Sequence, residues 1–442
     1  MFFFTCANGQ PELQCTIRLL RLTRENLMLF RLAATFLLLG FSVLHCRAES
    51  PRGEWNQWRG PSRDGKLTAS VWPQQLGDSV LVETWSVPLQ ESYSGPVANA
   101  QVVVTTETID KQDEQVVALD RETGERRWSQ RWKGAMRVPF FAASRGSWIR
   151  ATPVIDEATV YVGGVRGGVY ALDVETGEVR WELNLVENFD VRLPSFGFVS
   201  SPLVEGDAVY AQGGGGVVKL DRASGSVIWR SMASQGGMNG GAFSSPVVAD
   251  VQGSRQLVVQ GRKKLAGLSL DDGTVIWEHE VPAYRGMNIL TPSEWQGQFF
   301  TSAYGGRTFL YAVENESDGF EVGEQWDNKL QGYMSSPILI DGHAYIHLRN
   351  RRFACVDLAT GEEKWTTKPF GEYWSMVAND SLILALDERG ELLLIRANPN
   401  EFELLDRRSV TDESAWAHLA VDGDQIFVRS LKHLIAFKWA QP

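Results

Sequence analysis

Short apolar runs ending on a polar residue recur along the chain, each followed by a turn and a second run that closes on tryptophan. The clearest are Val117-Ala118-Leu119-Asp120, turning through Thr123-Gly124 to Trp128, and Tyr170-Ala171-Leu172-Asp173, turning through Thr176-Gly177 to Trp181. Further copies run from Lys219-Leu220-Asp221 through Ser224-Gly225 to Trp229, from Gly267-Leu268-Ser269 through Asp272-Gly273 to Trp277, and from Cys355-Val356-Asp357 through Thr360-Gly361 to Trp365. The interval from Gly to Trp is the same in all five. Two weaker copies are Ala312-Val313-Glu314, with an enlarged loop before Trp326, and Leu394-Ile395-Arg396, which has no Trp. Alternating apolar positions predict half-buried strands. Asp and Thr hydrogen-bond nearby backbone as the chain reverses, and Gly supplies a positive φ, so each phrase predicts a hairpin. A Trp copied at one offset predicts a framework residue packed against the neighbouring unit, hiding about 150–250 Å².

A second phrase precedes each first one: Ser94-Gly95-Pro96, Ala151-Thr152-Pro153, Ser200-Ser201-Pro202, Ser244-Ser245-Pro246, Leu290-Thr291-Pro292 and Ser335-Ser336-Pro337. Pro is tolerated at a strand start because its missing N–H falls outside the ladder. Most copies continue through a turn, such as Glu205-Gly206-Asp207 or Asp341-Gly342, into another strand. Each unit is therefore a four-stranded antiparallel meander. Units begin near Pro96, Pro153, Pro202, Pro246, Pro292, Pro337, Ser375 and Trp416, and the last stops one strand short. Leu81-Val82-Glu83-Thr84-Trp85-Ser86-Val87 supplies the missing strand, with Trp85 in the role of the repeat Trp. The fold predicted is all-β: an eight-bladed β-propeller over 82–442, its ring closed by N-terminal strand pairing in the last blade.

The pattern Ala-x-Asp-x-x-Thr-Gly-x-x-x-Trp resembles the pyrroloquinoline-quinone-like (PQQ-like) repeat, and across 82–440 the chain is most similar to the non-enzymatic, BamB-like exported propellers. That resemblance implies a non-catalytic scaffold at the cell envelope with protein or extended-peptide partners and no cofactor. Its alternatives are a quinoprotein oxidoreductase using PQQ with calcium, or a carbohydrate-binding or sensor propeller. The enzymatic members carry adjacent cysteines under the cofactor and a calcium site, and neither set is matched here. The segment Trp55-Asn56-Gln57-Trp58-Arg59-Gly60-Pro61-Ser62-Arg63-Asp64-Gly65 looks like the lead-in of exported members, and the region 49–81 is expected to cap the propeller, because two Trp need cover.

Ahead of it, Leu32 to Leu44 is an apolar run behind Arg31, shorter than the roughly 20 residues of a membrane-spanning helix. It ends at His45-Cys46-Arg47-Ala48, which predicts a signal peptide over 1–48 cleaved after Ala48, with 1–27 a mis-assigned extension before Met28. A lipid on Cys46 is the alternative, and membrane association is expected only through it or through a partner. The location expected is the periplasm or cell envelope. Cleavage would leave Cys355 as the one cysteine, inside an apolar run where it reads as a small buried hydrophobe. A net charge of −11 argues against a nucleic-acid partner.

Catalytic motifs are missing. No Gly-x-Ser-x-Gly elbow or phosphate loop occurs. His343 and His347 share a face without a third ligand, and Gly213-Gly214-Gly215-Gly216 reads as a hairpin turn. Asp271-Asp272-Gly273 and Asp422-Gly423-Asp424 occupy the repeat's own turns. What varies between repeats is the connector before each Pro phrase. These hold Tyr93, Trp148, Arg150, Phe196, Phe198, Asn239, Phe243, Arg285, Asn288, Tyr333, Tyr373, Trp374 and Trp416. Connectors of a propeller gather on one face, so this set suits a ligand or peptide site of aromatic anchors and polar fixers. The plainer reading of the same set is that it packs the seams between blades and plugs the channel.

Overall fold

The computed structural model describes residues 55–67, 71–317 and 319–440. The expected export segment 1–48, with Cys46 and Ala48, lies outside the described residues. Among the described residues the strands form eight four-stranded antiparallel meanders, at 97–133, 154–184, 203–231, 247–280, 293–328, 338–366 and 374–409, and in a last one built from both ends of the sequence. In that eighth blade Ala420–Asp422, Gln425–Arg429 and His433–Trp439 are completed by Leu81–Pro88, with Val82 opposite Lys438 and Val87 opposite Leu434. First strands of neighbouring blades approach one another around the axis. The closing seam is pinned by Arg121, whose buried guanidinium donates to Asp422 and Gln425. No helix among the described residues is long and apolar enough to cross a membrane.

The repeat Trp is the rivet between blades. Trp85, Trp128, Trp181, Trp229, Trp326 and Trp365 each donate Nε1–H to a carbonyl of the next blade, at 2.8–3.3 Å. The glycine of the next turn lies under the ring: a Cβ on Gly177 would stand 2.5 Å from Trp128. That glycine is thus required twice, by φ of +75° and by the close approach. Gly177→Ala is expected to lower stability by about 2–4 kcal/mol, since it meets both penalties. Gly206, also at positive φ but with nothing within 4 Å, is the control and is expected to cost about 1 kcal/mol. Equal losses in urea denaturation would show that the Trp contact is not what demands glycine.

Blade five departs from the pattern. The loop expected to be enlarged before Trp326 is instead a hairpin with long arms, Thr308–Glu316 and Gly319–Asn328. Phe320 and Val322 alternate along its outer arm and pack half-buried on the blade core, so the extra residues stay in the ladder. This turn offers no glycine platform, and Trp277 turns back to donate to Gln256 of its own blade at 2.6 Å.

The Ser/Thr-Pro phrase has a second task besides starting a strand. Gly95 N–H donates to Thr152 Oγ1, Thr152 N–H to Ser201 Oγ, Ser201 N–H to Ser245 Oγ, and Ser245 N–H to Thr291 Oγ1, at 2.9–3.1 Å. Each buried hydroxyl accepts the backbone N–H of the preceding blade, so a donor that no ladder takes is satisfied across the seam. On the far side of the ring the direction reverses: Trp374 N–H donates to Ser335 and Leu419 N–H to Ser375.

The lead-in runs within the ring of first strands, where a cap over the rim was expected. Trp55 O accepts from Ala98 N of blade one and Asn56 O from Ile155 N of blade two. Arg63 donates to Ser201 O and Pro202 O of blade three, Arg59 to Pro337 O of blade six, and Lys66–Leu67 pairs in parallel with the first strand of blade seven. Trp58 meets His418, ahead of blade eight's first strand, at 5.2 Å. The segment therefore plugs the channel from wall to wall. Both arginines are buried, flank the Trp58 ring at 5.6 and 5.3 Å, and are held by carbonyl oxygens. Desolvation pulls their pKa values down to about 10 and about 9. The Trp pair does find cover, but inside the ring, because the guanidinium groups need the carbonyls that line it.

Candidate functional site

In a four-stranded meander every second turn lies on the same face. The connectors between blades therefore share one mouth with each blade's middle turn, while the Thr-Gly turns lie at the other. On that mouth a cavity of about 1180 Å³ opens over blades three, four and five.

One wall is the connector of blades one and two, whose 3-10 turn Phe140–Arg145 crosses the mouth. Arg145 pairs with Glu372 at 2.5 Å and lies 4.9 Å over Trp416, which stacks on Tyr373 at 5.5 Å; the Tyr93 hydroxyl donates to the Arg145 carbonyl. From the other side of the turn an edge-to-face chain runs from Phe141 to Phe196 at 6.2 Å and on to Phe243 at 5.5 Å. Opposite stand Tyr284, Tyr304 and Tyr333, with Tyr304 and Tyr333 4.9 Å apart. The floor includes Gly213, Gly216, Gly241 and Gly261. Phe140 is 91 % exposed, and Phe141, Met238 and Tyr284 are each more than half exposed.

The cations of this wall are Arg145, Arg262, Lys263, Lys264 and Arg285, and no carboxylate stands among the lining residues. Glu372 answers Arg145 and Glu278 answers Lys264. Among the described residues Arg262, Lys263 and Arg285 have no acidic partner within ion-pair distance. Arg262 lies 4.6 Å over Phe243, donates to the Arg285 carbonyl at 2.9 Å and keeps a buried Nε without a partner. Partial burial pulls its pKa down from the usual guanidinium value. Arg285 has a left-handed backbone, φ 54°, inside the short turn Tyr284–Gly286.

The residues expected at the mouth divide three ways. Phe196, Arg285 and Tyr333 line the cavity, and Phe243 stands directly behind Phe196 and Arg262. Tyr93, Tyr373 and Trp416 hold the crossing turn; Trp148 and Arg150 sit at its base, where Lys111 lies 5.9 Å over the Trp148 ring and Arg150 donates to Gly146 O. Phe198, Asn288 and Trp374 are buried and are not among the residues that line the cavity. Phe198 is wedged between Gly163 and Gly213 of blades two and three, Asn288 Nδ2 ties Val281 O and Arg262 O together, and Trp374 donates to Asp387 at 2.9 Å. The Asn239 side chain lies outside the described residues. Phe141, Arg145, Gln212, Met232, Arg262, Lys263 and Tyr304 were missed. Several sit on middle turns rather than connectors, and the basic run Arg262-Lys263-Lys264 in an acidic chain was the signal for them.

A quinone–calcium centre does not fit these residues. Calcium takes hard oxygen donors, yet the cavity wall offers no carboxylate, and no group of three His, Cys, Asp or Glu able to hold a metal occurs among the described residues. Cys355 is free and buried in blade six, its thiol pushed up to about 12 by burial.

Comparison with known proteins agrees with the repeat. The family profile described as outer membrane protein assembly factor BamB matches residues 82–189 and 112–367. Among curated proteins, BamB of Yersinia pestis is 22% identical over 257 residues, 56% of this chain and 63% of that protein. Methanol dehydrogenase [cytochrome c] subunit 1 of Paracoccus denitrificans is 37% identical over 119 residues, 23% of this chain and 18% of that protein. The chain thus spans less than two thirds of the length of either relative. Among solved structures, BamB from Moraxella catarrhalis superposes with a TM-score of 0.60 at 16% identity, covering 82% of this chain and 99% of that one, a likeness of fold.

Proposed function

The chain belongs to the family described as outer membrane protein assembly factor BamB, and on that premise we propose that it is a non-catalytic binding scaffold of the cell envelope, exported, and holding a protein or extended-peptide partner at its connector mouth. The observation that carries this reading is the open cavity with its exposed aromatic rim. Contiguous exposed apolar surface on a soluble propeller is costly unless something covers it, and Phe140, Phe141, Met238 and Tyr284 all edge this one mouth. Aromatic anchors ringed by Arg are the composition of binding hot spots rather than of catalytic centres. A quinoprotein activity, which the methanol dehydrogenase relative brings to mind, lacks the donor set described above.

Photocrosslinking in the living cell tests the proposal. A photoreactive amino acid at Phe141 or Tyr284 is expected to give discrete adducts with envelope proteins, and the same probe at Val227, exposed on an outer blade edge, to give none. Adducts confined to the edge position would overturn the mouth. Reduction of a dye by the purified protein that depends on added quinone, calcium and alcohol would overturn the non-catalytic assignment.

A further inference from the structure

The partner's chemistry is written in the same cavity. Five cations and no carboxylate line it in a chain whose net charge is −11. A random surface patch of this protein would be expected to be acidic. Two of the five are answered by Glu372 and Glu278, which leaves Arg262, Lys263 and Arg285 presented together. A guanidinium taken partly out of water without a counter-charge is unfavourable, and a bound carboxylate is the direct remedy. The structure holds such a group in Arg262, pinned over Phe243 with a buried Nε unpartnered.

Other features say what carries the carboxylate. Glycines along the floor let a main chain come close, and the Phe141–Phe196 and Tyr284–Tyr304–Tyr333 walls accept apolar side chains. The volume exceeds the roughly 300–1000 Å³ usual for small-ligand pockets. Resting on the scaffold reading above, we propose that the mouth takes an extended acidic peptide segment of a partner protein, its carboxylates on Arg262, Lys263 and Arg285 and its apolar side chains between the aromatic walls.

A short dye-labelled peptide of Glu, Phe and Gly, read by fluorescence anisotropy on the purified protein, tests this. It is expected to bind with an affinity that falls as salt rises, while the same peptide with Lys in place of Glu does not bind. Arg262→Glu with Arg285→Glu is expected to weaken the acidic peptide by about tenfold or more, the scale of one lost charge pair, and to gain the Lys peptide. Lys263→Glu, a change at an exposed side chain, should shift both peptides in the same directions with an unchanged melting temperature, and so separates charge from misfolding. Equal binding of both peptides, or indifference of the acidic peptide to these variants, would overturn the assignment. Displacement of the acidic peptide by inorganic phosphate or citrate at matched ionic strength would overturn it in favour of a free-anion site. Phe141 photoadducts without acidic-peptide binding would leave the scaffold standing and sink only this inference.

Discussion

Truncating Trp128 to alanine is expected to lower stability by about 4 kcal/mol, within the range of roughly 3–5 found for large buried aromatics. Trp128 is buried between blades one and two, and its Nε1–H is the partner of Val174 O at 2.8 Å. Removing the ring opens a cavity and strips that carbonyl of its donor, two losses that add. Because the ring rests on Gly177, combining Trp128→Ala with Gly177→Ala should cost clearly less than the sum of the single changes, the mark of residues in contact. Trp277→Ala supplies the contrast. Its indole hydrogen-bonds inside its own blade, so it should orphan no carbonyl of the next one. Guanidinium denaturation with calorimetry measures all four variants. A loss under about 1.5 kcal/mol for Trp128→Ala, well below the usual range, would refute the rivet account.

Acidification is expected to destabilise the ring by about 2 kcal/mol between pH 6.5 and 5, and by about twice that when Glu114 is replaced by Gln. His347 is buried and stacked 5.1 Å from Trp374, and desolvation pushes it down to about 4. His418 sits against Trp58 and Tyr373, and desolvation with the Arg59 charge pushes it down to about 3. A histidine depressed in the folded state stabilises above its unfolded pKa of about 6.5 and loses that contribution as pH falls. Each costs about 1.4 kcal/mol per pH unit in this window. Glu114 works the other way. Buried between blades one and two, it accepts from Trp132 Nε1 and Val165 N, and desolvation lifts it to about 7. A carboxyl raised in the folded state stabilises below its unfolded pKa and loses that contribution as pH rises to 7, so it offsets one of the two histidines. Urea titrations at the two pH values measure the slopes. Identical slopes for the parent and Glu114→Gln would show that Glu114 carries no proton in the folded ring.

How much of this was legible follows from which residues repeat. Phrases copied five times expose the blades, because turn, strand and rivet must recur wherever the same packing recurs, and the closing strand with Trp85 could be placed by its similarity to them. The hydroxyl of each Ser/Thr-Pro phrase was visible as a residue but not as a bond, since its donor lies in the preceding blade. Arg59 and Arg63 defeat sequence reading for a different reason. Charged residues are expected outside, and only the ring of inward-facing carbonyls makes their burial tolerable. At the mouth, residue type alone cannot separate Trp374 from Trp416 or Phe198 from Phe196: each pair is one or two steps of chemistry apart from its role, and the direction of the side chain decides. The basic run Arg262-Lys263-Lys264 was visible in the sequence, but only the meander brings that middle turn to one mouth with the connectors that hold Arg285 and the distant Arg145.

Closing the ring with both ends of the sequence has a consequence for how the protein is made. Leu81–Pro88 leaves the ribosome early, while its partner His433–Trp439 emerges roughly 350 residues later, on the order of twenty seconds to a minute at typical elongation rates. Throughout that wait the strand is an orphan edge able to pair with any neighbour. Its sequence is suited to the delay: Glu83, Thr84 and Ser86 break the apolar run, and the strand is buried chiefly at Leu81 and Trp85. Such interruptions keep a lone strand from templating aggregates, so the half-made protein is guarded by the same polar side chains that face solvent once the last blade is complete.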